Sequence, residues 1–407
     1  MMLLMKKNKQ TKTENWELIR KKLKSEVTQS HSQFHFVISK SRLSMILFII
    51  FYFVMSQYPM DYNVEMEEEI DPSIRTCTYQ FHTVSTQIVM YILQLAYALP
   101  ISILYLFVIL KILKAHKSEQ MFSDAYFKIY VLDGVVSLIV VVLDYGLTRP
   151  LIYVNPLCHV FWNWFPQPTY ILTPYLFGFN YFQFAKIFSI SLLSANRFTC
   201  VAYPIWHKIF WKKHTNHVII VSMVCPVLFT WQLGISPTRF DPYVGEGILG
   251  YVKVVPFVRT TAFKLVVSFA AFLFILLTNI KTYRLTKKFK NKLKTLERSL
   301  TLSTVVISAV FVIYIIIQAI LLIFSTSFLI ENLSFGSTLK KIEFCCNDFY
   351  LMSSPIVLLI MNKRLRSSLF KVSPEVPQNT TTQVSSRNGE TVKIIVKSPS
   401  AKTITMG

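Results

Sequence analysis

Eight hydrophobic runs, separated by short charged connections, occupy most of residues 43 to 361. A helix needs roughly 20 residues to cross the hydrocarbon core of a bilayer, and the shorter runs approach that length only with their amphipathic flanks. The runs are hydrophobic all round, whereas each helix of a soluble bundle keeps a polar face. The pattern therefore predicts an all-α membrane protein built of spanning helices. The runs are Leu43–Met55, Ile88–Leu110, Ile129–Leu143, Leu172–Leu193, Val218–Ile235, Leu265–Ile280, Thr304–Phe324 and Cys345–Met361.

The distribution of basic residues predicts the orientation of these runs. A formal net charge of +22 raises the question of nucleic-acid binding, but the charge is spread over several connections and does not gather on one folded face. By the positive-inside rule, the basic connections face the cytoplasm. The sequence thus predicts a plasma-membrane protein with a cytoplasmic carboxyl terminus and no nucleic-acid partner. Of the 43 Lys and Arg residues, 34 lie in the alternate segments 1–42, 111–128, 196–216, 281–298 and 362–407.

The first run, Leu43–Met55, has two interpretations. Its length suits the core of a signal peptide, but the 42 residues before it make a long leader, and a retained signal-anchor fits equally well. Either outcome leaves a bundle of seven transmembrane helices in the same orientation. The predicted regions are a basic leader at 1–42, the signal peptide or signal-anchor at 43–57, an extracellular segment at 58–86, the seven-transmembrane domain at 87–362, a surface helix at 363–371 and a disordered cytoplasmic tail at 372–407.

The six cysteines differ in their predicted compartment. Only Cys77 and Cys158 lie in segments predicted to be extracellular. Two thiols alone on the oxidising side favour one disulfide, which would tie the amino-terminal segment to the loop before the third core span. Two unpaired thiols are the alternative.

The end of the third core span carries Asn196, Arg197 and Phe198, followed by Pro204. An arginine at the membrane boundary, an aromatic residue beside it and a proline seven residues later match the spacing of the Asp-Arg-Tyr motif of rhodopsin-like receptors. A guanidinium is always charged and carries five donors in a fixed fork, so it can latch neighbouring helices and meet a partner when they separate. Asn196 stands where an acid is usual, so the restraining ion pair is absent. Alternatively, Arg197 only marks the positive-inside boundary.

Lys287 and Lys288 belong to the most basic connection, residues 281–298, which also carries an apolar stripe at helical spacing. Such a basic amphipathic helix suits contact with a G-protein helix. It equally suits anionic membrane lipid, so lipid is a predicted partner as well.

Several motifs resemble those of a known family. Over about residues 85 to 370, the chain resembles the nematode chemoreceptor family called serpentine receptor class gamma, and sister classes such as class V share several of these motifs. The resemblance implies a G-protein-coupled receptor of sensory cells, with a small environmental molecule as ligand and a heterotrimeric G protein as partner. The motifs are Phe122 to Gly134, Leu147 to Pro150, Asn196 to Thr199 with Pro204, His207 and Trp211, Cys346 to Asp348 with Ser354 and Pro355, and Lys363 to Arg366.

Ionisable residues inside the predicted spans mark functional positions, because an unpaired charge there costs several kcal/mol. Asp133 in the second core span and Lys186 in the third differ in depth by roughly 9 Å at 1.5 Å per residue. They form a pair or share a water-filled cavity, or Lys186 lines the ligand cavity alone. In the seventh span, Asn347 and Asp348 precede Pro355, whose kink suits a polar switch or is static.

Two other classes of membrane protein compete with the receptor interpretation. A secondary transporter is disfavoured because we find no inverted repeat or paired broken spans. A ligand-gated channel of the insect chemoreceptor type would leave the basic tail outside the cell, against the positive-inside rule. The eight His do not cluster in spans and no hydrolase or zinc-protease motif occurs, so no enzyme activity, cofactor or metal site is predicted. The oligomeric state stays open.

Two glycosylation sequons provide a test of orientation. Asn332 begins a sequon in the predicted third extracellular loop, whereas Asn379 begins one in the predicted cytoplasmic tail. Only Asn332 is therefore expected to carry a glycan.

Overall fold

The computed structural model describes residues 77, 83–116, 125–243, 246–255, 260–288, 295–324, 333–361 and 366. Within these residues, the prediction of seven membrane-spanning helices is confirmed. The run Leu43–Met55, the tail at 372–407 and, apart from Arg366, the surface helix at 363–371 lie outside the described residues. The seven spans, numbered in chain order, are Val84–Lys114, Ala125–Tyr153, Thr173–Ala202, Pro204–Ile235, Phe263–Lys287, Thr301–Ile320 and Lys341–Met361.

Prolines set several of the helix boundaries. Pro156, Pro174 and Pro204 each lie in the first turn of a helix, where the missing backbone donor has no partner to lose. The helices in chain order are α1 (Val84–His116), α2 (Ala125–Leu143), α3 (Arg149–Tyr153), α4 (Asn155–Trp164), α5 (Thr173–Ala202), α6 (Pro204–Val224), α7 (Val227–Ile235), α8 (Thr260–Lys288), α9 (Thr295–Phe324) and α10 (Leu333–Met361).

The second span extends ten residues beyond the predicted end at Leu143, to Tyr153. A π-helical turn at Asp144–Thr148 joins α2 to α3 without a break. In this wider turn the backbone N–H of Arg149 donates to the carbonyl of Asp144 five residues earlier, so the two side chains come to the same side of the helix. These two charged residues follow the predicted end of the span in the sequence, but in the structure they form an ion pair within the helix.

A β-hairpin covers one end of the bundle, and the sequence did not predict it. Strand β1 (Thr238–Tyr243) pairs antiparallel with β2 (Glu246–Tyr251) between the fourth and fifth spans. Phe240 on β1 is buried against Cys77, Cys158 and Leu151. We call this end, which carries the hairpin and the Cys77–Cys158 disulfide, the disulfide end.

Gly247 on β2 allows the hairpin to pack closely on α3. A Cβ atom at this position would lie 2.6 Å from Cζ of Phe240 and 3.0 Å from the carbonyl oxygen of Leu151. A side chain larger than hydrogen would therefore push the hairpin away from the second span.

The first two spans cross at Gly134. A Cβ atom there would lie 2.7 Å from Cδ1 of Ile109 and 2.8 Å from Cε2 of Tyr105. Small residues at such crossings let membrane helices approach closely, where dispersion contacts replace the hydrophobic effect as the driving force. The close crossing places the Tyr105 hydroxyl beside Asp133, one residue before the glycine.

Candidate functional site

Arg149 is the centre of a buried ion cluster in the half of the bundle nearest the disulfide end. Its Nε donates to Asp144 at 2.9 Å, and its Nη2 and Nη1 donate to the two oxygens of Asp348 at 2.6 and 2.9 Å. The Tyr145 and Phe344 rings lie 4.1 and 5.0 Å from its Cζ. Asp348 belongs to the seventh span, so this cluster joins the second and seventh spans.

Neutral side chains satisfy most of the remaining hydrogen-bonding groups in this cluster. Gln94 accepts from Arg149 Nη1 at 2.8 Å and thereby adds the first span. The Tyr145 hydroxyl accepts from the same Nη1 at 2.8 Å and donates to Asp348 at 2.9 Å, and the Tyr97 hydroxyl also donates to Asp348. One guanidinium and two carboxylates, all buried, are thus held in one hydrogen-bonded network.

Arg149 and Asp144 were not predicted from the sequence as site residues, whereas Asp348 was. Two signals were present: Arg149 lies within the Leu147 to Pro150 motif, and an acid precedes it by five residues. Asp144 and Arg149 come into contact only because the helix forms a π-helical turn between them. The hydropathy of the sequence does not indicate such a turn.

A second ion cluster lies deeper in the bundle and joins the predicted pair directly. Lys186 Nζ donates to both oxygens of Asp133 at 2.8 Å, and Ser189 Oγ donates to Asp133 at 2.5 Å. The Tyr105 hydroxyl donates to the same carboxylate at 3.2 Å, and Lys186 Nζ lies 5.6 Å from the centre of the Tyr350 ring. Lys186 and Asp133 are both 0% exposed, so no solvent screens the pair.

We expect a double-mutant cycle to show strong coupling between Asp133 and Lys186. Removing one partner leaves a buried charge uncompensated, so Asp133→Asn or Lys186→Met should each destabilise the folded protein by about 3 to 5 kcal/mol. The double variant should be closer to wild type than either single one, because no unpaired charge remains. Thermal unfolding of the detergent-solubilised protein measures the three values. Additive losses in the double variant would contradict the pairing.

The seventh span links these two clusters. Asp348 belongs to the Arg149 cluster, and Tyr350, two residues later, stacks on Tyr314 of the sixth span with centroids 4.7 Å apart and faces Lys186. Asn347 is buried beside Asp348, and Pro355 lies inside the continuous helix α10. The predicted polar positions of the seventh span are therefore close to both clusters.

Arg197 lies at the other end of the third span, which we call the Arg197 end. Its Cζ lies 3.6 Å from the centre of the Tyr126 ring, and the residue is 2% exposed. Among the described residues, its Nε and Nη2 have no hydrogen-bond partner, and neither do the side-chain atoms of Asn196. Each buried donor without a partner costs about 1 to 3 kcal/mol, so this arrangement favours rearrangement when a partner is offered.

The residues after Arg197 fix the turn into the fourth span. Trp211 Nε1 donates to Thr199 Oγ1 at 2.9 Å, and His207 Nδ1 lies 3.0 Å from the same oxygen. Phe198 packs edge-on against Tyr203, and Pro204 begins α6. Of the predicted lysines, Lys287 is exposed in the last turn of α8, and the side chain of Lys288 lies outside the described part of the structure.

A third polar group lies between the fifth, sixth and seventh spans. Lys264 is half-buried on the face of α8 that also carries the buried Thr260 and Ser268, and its charge interacts with Glu343 and Asp144. Glu343 accepts a hydrogen bond from Gln318 at 2.5 Å. Within the described residues, no group of three or more His, Cys, Asp or Glu side chains is placed to hold a metal ion.

The structure joins Cys77 to Cys158 by a disulfide with a Cα–Cα distance of 5.8 Å and a sequence separation of 81 residues. In the chain-entropy model a loop of this size is worth about 4 kcal/mol. We expect Cys77→Ser, Cys158→Ser and the double variant to lose the same stability, because all three remove one bond. Peptide mapping without reduction tests the bond directly, and recovery of both residues as free thiols from surface-expressed protein would contradict it.

Comparison with known proteins identifies the family of this chain. The family model described as Srg family chemoreceptor matches residues 91–369. The chain is 28% identical over 315 residues to serpentine receptor class gamma-4 of Caenorhabditis elegans, covering 77% of this chain and 98% of that protein. It is 29% identical over 309 residues to serpentine receptor class gamma-11 of the same organism, covering 76% and 89%. The relatives are named as receptors, and the predicted resemblance is confirmed. The chain is a multi-pass membrane protein that belongs to the Srg family of chemoreceptors.

Proposed function

We propose that this protein is a G-protein-coupled chemosensory receptor that binds a small environmental molecule and switches heterotrimeric G proteins. The observation that carries the proposal is the state of Arg197, a guanidinium buried at one end of the bundle, two of whose donors have no partner among the described residues. A structural arginine at a membrane boundary would extend its charge to water or lipid phosphate. An arginine held inside the bundle with free donors suits a group that binds a partner after the helices separate.

The coupling surface in this proposal is the Arg197 end. The spans that carry Arg197 and Lys287 both begin near the hairpin and end at this surface, so their last turns lie at one level of the bundle. Asn196, Phe198 and Pro204 shape the turn beside the arginine. Lys287 and Lys288 add positive charge for a G protein or for anionic lipid.

The ligand site in this proposal lies toward the disulfide end. Lys264, Glu343 and Gln318 bring charged and hydrogen-bonding groups to the interior side of three spans. The charge of Lys264 also interacts electrostatically with Asp144, which relates this site to the Arg149 cluster. The Asp348 to Tyr350 segment then provides a route to the Lys186 cluster.

A signalling assay with a panel of small molecules tests the proposal. Cells that express the chain with a set of G-protein α subunits should respond to at least one compound. Membranes from those cells should bind a GTP analogue faster when that compound is added. Cells that express the Arg197→Ala variant at the same surface density provide the control. Transport of a compound or an ion current without nucleotide exchange would contradict the proposal and favour the transporter or the channel.

In the proposed orientation, the protein lies in the plasma membrane with its disulfide end outside the cell and its carboxyl tail in the cytoplasm. Asn332 and Asn379 lie outside the described residues, and their sequons test this orientation. We expect an endoglycosidase-sensitive mass shift that Asn332→Gln removes and Asn379→Gln leaves intact. Glycan on Asn379 would contradict the orientation.

A further inference from the structure

We propose that Tyr126 is the restraint on Arg197 in the resting receptor, where it takes the place of an acid beside the arginine. The inference rests on the proposed G-protein coupling. In it, the aromatic face of Tyr126 holds the guanidinium inside the bundle by a cation–π contact, and coupling requires that this contact open. Tyr126 is then a positioning residue that sets how often Arg197 is available to a partner.

The geometry at the Arg197 end supports this role. The Cζ of Arg197 lies 3.6 Å from the centre of the Tyr126 ring, well within the roughly 6 Å range of cation–π attraction. Asn196 carries no charge, and none of the salt bridges among the described residues involves Arg197. Burial makes such a contact stronger than at an exposed site, and Tyr126 is 0% exposed.

The surroundings of Tyr126 hold its ring in place. Phe127 packs edge-on against it with centroids 5.5 Å apart, and Tyr130 lies 6.3 Å away with nearly parallel planes. These rings belong to one core cluster with Trp211 of the fourth span and Leu358 of the seventh. Separation of the spans at this end would therefore disturb the packing that keeps the Tyr126 face against Arg197.

The restraint comes from the ring and not from the hydroxyl. The Tyr126 hydroxyl is buried and has no hydrogen-bond partner among the described residues. Nε and Nη2 of Arg197 likewise have no acceptor within the described ranges, so the ring compensates the charge without using these directional donors. A contact of this kind holds the arginine more weakly than an ion pair would, which leaves a measurable ligand-free activity in wild type.

Ligand-free nucleotide exchange on co-expressed G proteins, measured in membranes at matched receptor density, tests the inference without a known ligand. Tyr126→Leu should raise exchange by roughly 2- to 30-fold while the active fraction is small, and Tyr126→Phe should keep the wild-type level. Phe184→Leu, which truncates a buried ring in a core cluster that does not include Tyr126, should also keep it. A series of fluorinated phenylalanines at position 126 should raise exchange stepwise, because fluorine weakens the negative face with little change in ring size.

The outcomes separate this inference from the proposed function. Wild-type exchange in both Tyr126→Leu and the most fluorinated ring, together with evoked signalling that Arg197→Ala abolishes, would overturn the role of Tyr126 and leave coupling in place. An equal rise in Phe184→Leu would also overturn it, because a general loss of core packing would then explain the effect. Evoked signalling that persists in Arg197→Ala would overturn the coupling role itself.

Discussion

Replacement of Arg197 by Ala should abolish signalling while surface expression and ligand binding stay near the wild-type level. The side chain makes no ion pair among the described residues, and its removal gives up the cation–π contact with Tyr126 but also relieves two buried donors that have no partner in that part of the chain. The folded bundle therefore loses little stability, whereas the group proposed to meet the G protein is gone. Evoked nucleotide exchange at matched surface density measures the loss. Unchanged signalling in this variant would remove the mechanistic basis of the receptor proposal and leave the family membership alone.

Asn196→Asp provides the opposite change beside the same arginine. Asn196 is buried and its side-chain atoms have no partner in the part of the chain that the structure describes, so a carboxylate there gains the unused donors of Arg197. The new ion pair should be worth about 1 to 3 kcal/mol in the resting state, which lowers ligand-free activity by roughly 5- to 150-fold. Asn196→Gln, which adds no charge, is the control. A rise in ligand-free activity in Asn196→Asp would contradict the restraint.

Arg149→Met should destabilise the bundle by about 3 to 5 kcal/mol or more, because it leaves Asp144 and Asp348 as two buried carboxylates without their cation. We expect the variant to be retained inside the cell and to unfold at lower temperature in detergent. Asp144→Asn and Asp348→Asn should each do less damage, since Arg149 then keeps one carboxylate partner. Surface biotinylation and thermal unfolding measure these effects.

Arg239→Met is the matched control for this prediction. Arg239 also pairs with an aspartate, at 2.6 Å from Asp241 in the hairpin, but the two side chains are 24% and 37% exposed. A partly solvated pair of this kind is worth only about 0 to 1 kcal/mol. Equal losses in Arg149→Met and Arg239→Met would show that the Arg149 cluster does not hold the second and seventh spans together.

Hydropathy predicted the seven spans because every spanning helix needs an apolar segment long enough to cross the bilayer. The residue composition of a segment alone shows whether it meets this requirement. Hydropathy misplaced the end of the second span because it counts Asp144 and Arg149 as two charges, although the bundle joins them into one hydrogen-bonded pair. The depths of Asp133 and Lys186 suggested a gap of several ångströms. The structure closes it with the long lysine side chain, whose Nζ reaches both carboxylate oxygens of Asp133.

The hairpin and Tyr126 lay beyond the sequence analysis for different reasons. The hairpin is held by the second span and by the disulfide, through Phe240 and Gly247, so its stability depends on tertiary contacts that its own residues do not reveal. Tyr126 lies inside the Phe122 to Gly134 motif, one of those on which the family resemblance rests. Its contact with Arg197 joins two spans 71 positions apart in the chain, and no local spacing encodes such a contact.

The Arg149 cluster also orders the events of synthesis. Asp144 emerges five residues before Arg149, so the two can neutralise each other as soon as the second span enters the membrane. Asp348 follows 199 residues later, which at about 5 to 20 residues per second is a delay of roughly 10 to 40 seconds. During that interval Arg149 has only Asp144 as a carboxylate partner. Its two Nη atoms receive their carboxylate, Asp348, only when the seventh span has been made. A chain that ends short of residue 348 therefore lacks the seventh-span carboxylate that accepts from both Nη atoms of Arg149.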